Sequence, residues 1–237
     1  MKIYPAIDLH LGKCVRLYKG DYNEVTDYGN PIEVAKKFKK LGATFLHIVD
    51  LDGAKEGSLI NVDVVRRIID EVKIDCEFGG GIRSLEQIKM LLNNNIKRVI
   101  IGSKALDLDF VDKAIKLFGS EKIVIGLDCE NFMIKTNGWL EQSSINALDF
   151  ALKLEALGVK TIIFTDISKD GTLDGINDGQ IKRLVETTKI DIIASGGAKD
   201  ISDIKKAQEC GCKGIILGKS IYNNNIDLKQ AIEEFEG

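Results

Sequence analysis

Eight times along this chain a short, almost wholly apolar run gives way to a longer run with apolar residues at helical spacing. KIYPAIDL precedes PIEVAKKFKKLG, FLHIVDLD precedes NVDVVRRIIDEV, DCEFGGG precedes SLEQIKMLLNNN, and RVIIGS precedes LDFVDKAIKLFG. IVIGLD then precedes INALDFALKLEALG, TIIFTDIS precedes NDGQIKRLVETT, DIIASGG precedes DISDIKKAQECG, and GIILGKS precedes DLKQAIEEFE. Strands without a polar face need cover on both sides, and strict alternation with helices implies a parallel sheet. Eight such units in 237 residues fit a closed (β/α)8 TIM barrel. A doubly wound open sheet is the alternative, but no dinucleotide fingerprint follows the first strand. Pro31 opens the first helix, and Ser84 with Gln87 makes a capping box before the third.

The chain repeats itself. Residues 42–105 align without gaps with 158–221, giving about 15 identities in roughly 64 pairs. Asp50 meets Asp166, Asn61 meets Asn177, Gly80-Gly81 meet Gly196-Gly197, and Gly102 meets Gly218. No linker divides the chain, so the expectation is one domain over 1–237, an internal duplication of half-barrels of about 1–119 and 120–237.

Composition narrows the function. A net charge of −3 with interspersed signs carries no nucleic-acid footprint. No apolar run is long enough to span a bilayer, and the N-terminus lacks a signal-peptide plan. Five scattered cysteines make neither a disulfide framework nor a metal set, so reduced, mostly buried thiols in a cytoplasmic protein are expected.

In a barrel the working face lies at the C-terminal ends of the strands. Glycines there allow close backbone approach to a ligand, and the following helix start favours an anion, most often phosphate. Gly79, Gly80, Gly81 and Arg83 supply one wall of such a cradle, and Gly102-Ser103 supplies the other. The repeat supplies a second cradle from Ser195, Gly196, Gly197, Gly218 and Lys219. Tight βα turns alone are the plainer reading of these glycines. Two cradles half a turn apart suit a small molecule phosphorylated at both ends.

Asp8 and Asp128 end the first and fifth strands, facing each other across the mouth on an axis perpendicular to the line of the cradles. One ionised and one protonated carboxyl can move protons on opposite faces of a substrate. Capping of the next turn is the alternative for each. Asp170, on the long loop after strand six, is a third acid that loop closure would deliver. Asp50, Asp52 and Asp166 read as loop anchors. Thr165 can bond a carboxylate or a sugar oxygen. His47 either points into the mouth or packs in the core, and both readings stay open. Neither histidine has a serine or cysteine partner, which gives no support to a hydrolase triad. Arg16 is placed to meet a phosphate or the middle of the ligand. Trp139 suits stacking on a planar ring, with loop packing as the alternative.

With these residues assembled, the sequence resembles the phosphoribosylformimino-aminoimidazole-carboxamide ribotide isomerase family of histidine biosynthesis along its whole length. PAIDLHLGKCVRLYKGDY, LHIVDLDGAKEG, EFGGGIRS, NGW, TDISKDGTLDGIN, ASGGAKD and GIILGKSIY carry the resemblance, in order. It implies an Amadori aldose–ketose rearrangement of a bisphosphorylated ligand by a monomer without metal or cofactor. Asp8 then matches the base, and Asp128 or Asp170 the proton donor. The related cyclase that makes imidazole-glycerol phosphate, an isomerase also acting on phosphoribosyl anthranilate, and a non-catalytic phosphometabolite-binding barrel are the alternatives. PAIDL and DLDGA favour the isomerase over the cyclase.

Overall fold

The structure, a computed structural model, describes residues 1–136, 139 and 141–237. Its eight barrel strands, first to eighth, are Lys2–His10, Phe45–Asp50, Asp75–Gly79, Arg98–Ile101, Ile123–Glu130, Thr161–Asp166, Asp191–Ser195 and Gly214–Leu217. Each pairs in parallel with its neighbour in the chain, and the first pairs with the eighth, which closes the ring. Helices Pro31–Lys40, Val62–Val72, Leu85–Asn93, Leu108–Phe118, Ala147–Ala156, Asp178–Thr187, Ile201–Glu209 and Leu228–Phe235 follow the strands. Ser84 and Gln87 close the expected capping box. The chain therefore folds as a (β/α)8 TIM barrel. No helix among the described residues is long and apolar enough to cross a membrane.

Side chains alternate across a strand, and in a closed ring that parity splits the core in two. Ile3, Ile7 and Leu9 of the first strand and Ile123, Ile125 and Leu127 of the fifth belong to the outer core shared with the helices. Tyr4, Ala6, Ile100, Val124, Ile163, Ile193 and Ile216 form a separate inner cluster. Asp8 and Asp128 continue the inward series, in register beyond Ala6 and Val124. Their strands stand four places apart in the ring, so they are diametrically opposed.

Two antiparallel hairpins grow from the mouth end of these same strands. Lys13–Tyr18 with Asp21–Gly29 extends the first, and Met133–Thr136 with Glu141–Asn146 extends the fifth. The sequence pattern assigns no strand to either stretch. Asp21–Gly29 is polar and mostly exposed, so it carries no apolar alternation from which a strand could be read.

The loops after the second and sixth strands are tied by matching anchors. Buried Asp50 accepts from the backbone of Gly53, Ile60 and Asn61 and from the Asn61 side chain at 2.7 Å. Asp166 accepts from Ser168 and from Asn177 Nδ2 at 2.8 Å. Asp52 holds His10 at 2.6 Å, together with Leu11 N and Asn61. Glycine is obligatory where the next strand passes these anchors. Gly80 has φ +106°, and a Cβ there would lie 2.2 Å from the Asp50 carbonyl oxygen. At Gly196 the matching contact is 2.7 Å from the Asp166 carbonyl oxygen. Asn61→Ala strips donors from two carboxylates and is expected to lower stability by about 2–3 kcal/mol. A shifted urea midpoint at constant slope measures the loss, and a change under about 0.5 kcal/mol contradicts the anchoring role.

Candidate active site

The inward positions at the mouth open into one cavity of about 470 Å³. Every residue read from the sequence as catalytic or ligand-binding lines it: Asp8, Arg16, His47, Gly80, Gly81, Arg83, Gly102, Ser103, Asp128, Trp139, Thr165, Asp170, Ser195, Gly196, Gly197, Gly218 and Lys219. Chain separations of up to 211 positions collapse here because each strand contributes its C-terminal inward residues.

Asp8 is held from the first hairpin. Arg16 Nη1 donates to Asp8 Oδ2 at 2.7 Å, and Nη2 reaches the Ala6 carbonyl at 3.3 Å. The guanidinium lies 5.5 Å from the Tyr222 ring, whose hydroxyl donates to the same Ala6 carbonyl. Burial disfavours the Arg16 charge, but Asp8 together with Tyr222, Asp170 and Cys14 more than offsets this and raises its pKa. A Cβ on Gly218 would lie 2.3 Å from Arg16 Nη2, so the arginine passes over the second cradle's glycine.

Asp128 stands opposite. Burial pushes its pKa up, against hydrogen bonds from Trp139 and Thr165 and the influence of His47. Trp139 Nε1 donates to Asp128 Oδ2 at 2.8 Å, and its ring packs over Gly20 in the turn of the first hairpin. This tryptophan is half-buried at the mouth rather than exposed. Asn137 and Gly138 of the NGW motif lie outside the described residues. Asp170 completes the group. Burial pushes its carboxyl up to about 6, with Arg16 opposing and Asp8 and Asp128 reinforcing the rise.

The first cradle brings Gly79–Arg83 beside Gly102, Ser103 and Lys104. Arg83 packs over Gly57, where a Cβ would lie 2.2 Å from Nη1. The second brings Ser195–Ala198 beside Gly218 and Lys219. Lys219 Nζ donates to the Gly171 carbonyl at 2.8 Å, tying the Asp170 loop to this cradle. His47 resolves both ways: it is buried, bonded to Glu77 at 2.8 Å, and still lines the cavity. Tyr22 and Lys104 also line it and were missed. Lys104 directly follows Gly102-Ser103, a signal that was available. Tyr22 sits on the hairpin that left no pattern.

Comparison with known proteins places these residues in context. The profile of the family described as "Histidine biosynthesis protein" matches residues 2–227. A protein of Clostridium novyi (strain NT) is 49% identical over 235 residues, covering 98% of each chain. One of Clostridium botulinum (strain Langeland) is 51% identical over 235 residues, 98% of this chain and 97% of the relative. One of Lactococcus lactis subsp. lactis is 47% identical over 233 residues, 97% and 98%. All three are named 1-(5-phosphoribosyl)-5-((5-phosphoribosylamino)methylideneamino) imidazole-4-carboxamide isomerase.

The raised Asp170 carboxyl has a stability consequence. A folded-state pKa of about 6 above an ordinary 3.8 means the folded chain holds this proton more tightly. Its contribution is full at pH values below the unfolded pKa and is lost as pH rises through 6. Asp170→Asn should therefore match the parent near pH 4 and exceed it at pH 7.5 by on the order of 2 kcal/mol. Thermal unfolding at the two pH values measures this. A mutant gaining nothing between them contradicts the buried-acid assignment.

Proposed function

This chain belongs to the histidine biosynthesis protein family, and from that premise we propose how its cavity isomerises the ribotide named for its relatives. The reaction is an Amadori rearrangement, an intramolecular aldose–ketose isomerisation of a small phosphorylated substrate. One observation carries the assignment of roles: opposed carboxyls stand in the same cavity as two glycine cradles. The cradles come from matching positions of half-barrels of about 1–119 and 120–237, which this reading treats as a duplicated unit.

A phosphate at each cradle stretches the ligand past Asp8 on one side and Asp128 and Asp170 on the other. The donor protonates the ring oxygen of the ribosylamine furanose. The C1–O4 bond breaks, and the nitrogen lone pair forms the C1=N Schiff base. The base then takes the C2 proton, the C1=N π electrons return to nitrogen, and an enolamine forms. Tautomerisation of the enolamine, with a proton delivered to C1, gives the ketose.

Asp8 is the base in this scheme, fixed in place by Arg16 at 2.7 Å. Asp170 is the donor. Its carboxyl, at about 6, gives up a proton near neutral pH, and its loop delivers it from above. Asp128 accepts from Trp139 and Thr165, which orients it towards the ligand rather than freeing it to donate. Arg83, Ser103 and Lys219 add side-chain donors to backbone cradles that already favour phosphate.

Purified protein should convert the ribotide in an absorbance assay without added metal or cofactor. Asp8→Asn should lower kcat by at least about 10³-fold while leaving KM within about threefold, the signature of a group acting in the transition state. Near-normal kcat in that variant removes Asp8 from the role of base.

A further inference from the structure

The barrel interior below the mouth is mostly apolar, with a polar chain on the second, third and fourth strands. Tyr4, Ala6, Ile100, Val124, Ile163, Ile193 and Ile216 fill most of it. Glu77, on the third strand, is fully buried among them. Its Oε1 lies 2.8 Å from His47 Nδ1, and its Oε2 accepts from Arg98 Nη2 at 2.5 Å. Arg98 in turn reaches the Tyr4 hydroxyl at 2.9 Å and lies over the Tyr4 and Phe45 rings.

Such a buried pair contributes little net stability compared with apolar side chains of similar volume. The repeat supplies the comparison inside this molecule. The same offset that matches Asp50 to Asp166 sets Ile163, Ile193 and Gly214 against His47, Glu77 and Arg98. The second half fills these positions without charge and the ring still closes. The charged chain is therefore not a requirement of barrel closure.

We propose that Glu77 is a positioning residue that fixes the neutral tautomer of His47 and presents its Nε2 to the ligand as a hydrogen-bond acceptor. Arginine only donates, so Arg98 holds Glu77 as an acceptor on both oxygens. The hydrogen between Glu77 and His47 must then sit on Nδ1. Glu77 does not line the cavity and His47 does, which leaves the Nε2 edge for the cavity. The ring stands beside the Asp8 strand, since His47 pairs in register with Ala6, and its counterpart in the repeat is Ile163, which offers no acceptor. An acceptor on one side only makes the mouth asymmetric and selects a ligand with a hydroxyl or N–H at that point. This selection rests on the isomerase reading; the tautomer does not.

Only two histidines exist, so His10→Gln leaves one ring to observe. Nitrogen NMR of the labelled imidazole at about pH 8.5, where an ordinary imidazole is neutral, should show Nδ1–H and a bare Nε2. A ring carrying Nε2–H overturns the proposal. Glu77→Gln has a single acceptor oxygen, which Arg98 claims, so its amide donates to His47 and should flip the ring to Nε2–H. In that variant kcat should fall by roughly 10- to 100-fold, with KM within about twofold. An unchanged tautomer or an unchanged kcat overturns the proposal. In a His47→Asn background the same substitution should cost nothing further; an equal loss there shows that Glu77 acts through stability instead. If Glu77→Gln fails to fold, the parent spectrum alone decides. A parent protein with no isomerase activity refutes the functional reading and leaves the tautomer measurement intact.

Discussion

Strand parity in a closed parallel ring is the constraint on which the rest of this molecule depends. Each strand turns alternate side chains outward to the helices, and the others have nowhere to go but the interior. Two residues of outward apolar packing on either side of Asp8 or Asp128 leave these carboxyls no choice of direction. Burial then acts on what parity has delivered. It raises Asp128 and Asp170, and it makes Asp8 depend on a guanidinium that is itself buried and stacked on Tyr222. The same forced enclosure that threatens stability shifts these acids towards holding their protons.

Two-fold repetition and one-sided chemistry pull against each other in this barrel. The anchors Asp50–Asn61 and Asp166–Asn177 and the glycines beside them are equivalent, and equivalence suits a ligand with a phosphate at either end. Proton transfer requires the opposite: one carboxyl takes a proton where the other side gives one. The departures from symmetry lie at the two carboxyls. Arg16 bonds Asp8, whereas Trp139 and Thr165 bond Asp128. Lys219 ties down the Asp170 loop, and Ser103 occupies the matching place in the first cradle.

The eight strands and helices were legible because period and composition are local properties of the sequence. The gathering of glycines at the mouth was legible because the repeat displays Gly80-Gly81 and Gly196-Gly197 in the same setting. The hairpins were not legible. Asp21–Gly29 gains its strand form from pairing with Lys13–Tyr18, and its polar, exposed residues carry no periodic trace of it. The turn of Trp139 towards Asp128 is equally a matter of long-range packing. Glu77 leaves a trace in the sequence, an acid between Cys76 and Phe78 in a strand run, where a buried acid almost always has a partner. Its partners His47 and Arg98 could be named only once register set the three strands side by side.

The central claim is that both glycine cradles hold phosphate at once, with the carboxyls between them. Crystals grown with inorganic phosphate test it most directly. The account predicts two phosphate ions in one cavity, one against Gly80, Gly81 and Ser103 and one against Gly196, Gly197 and Lys219. Phosphate seated in one cradle only, or elsewhere on the surface, in a preparation that still turns over the ribotide would contradict it.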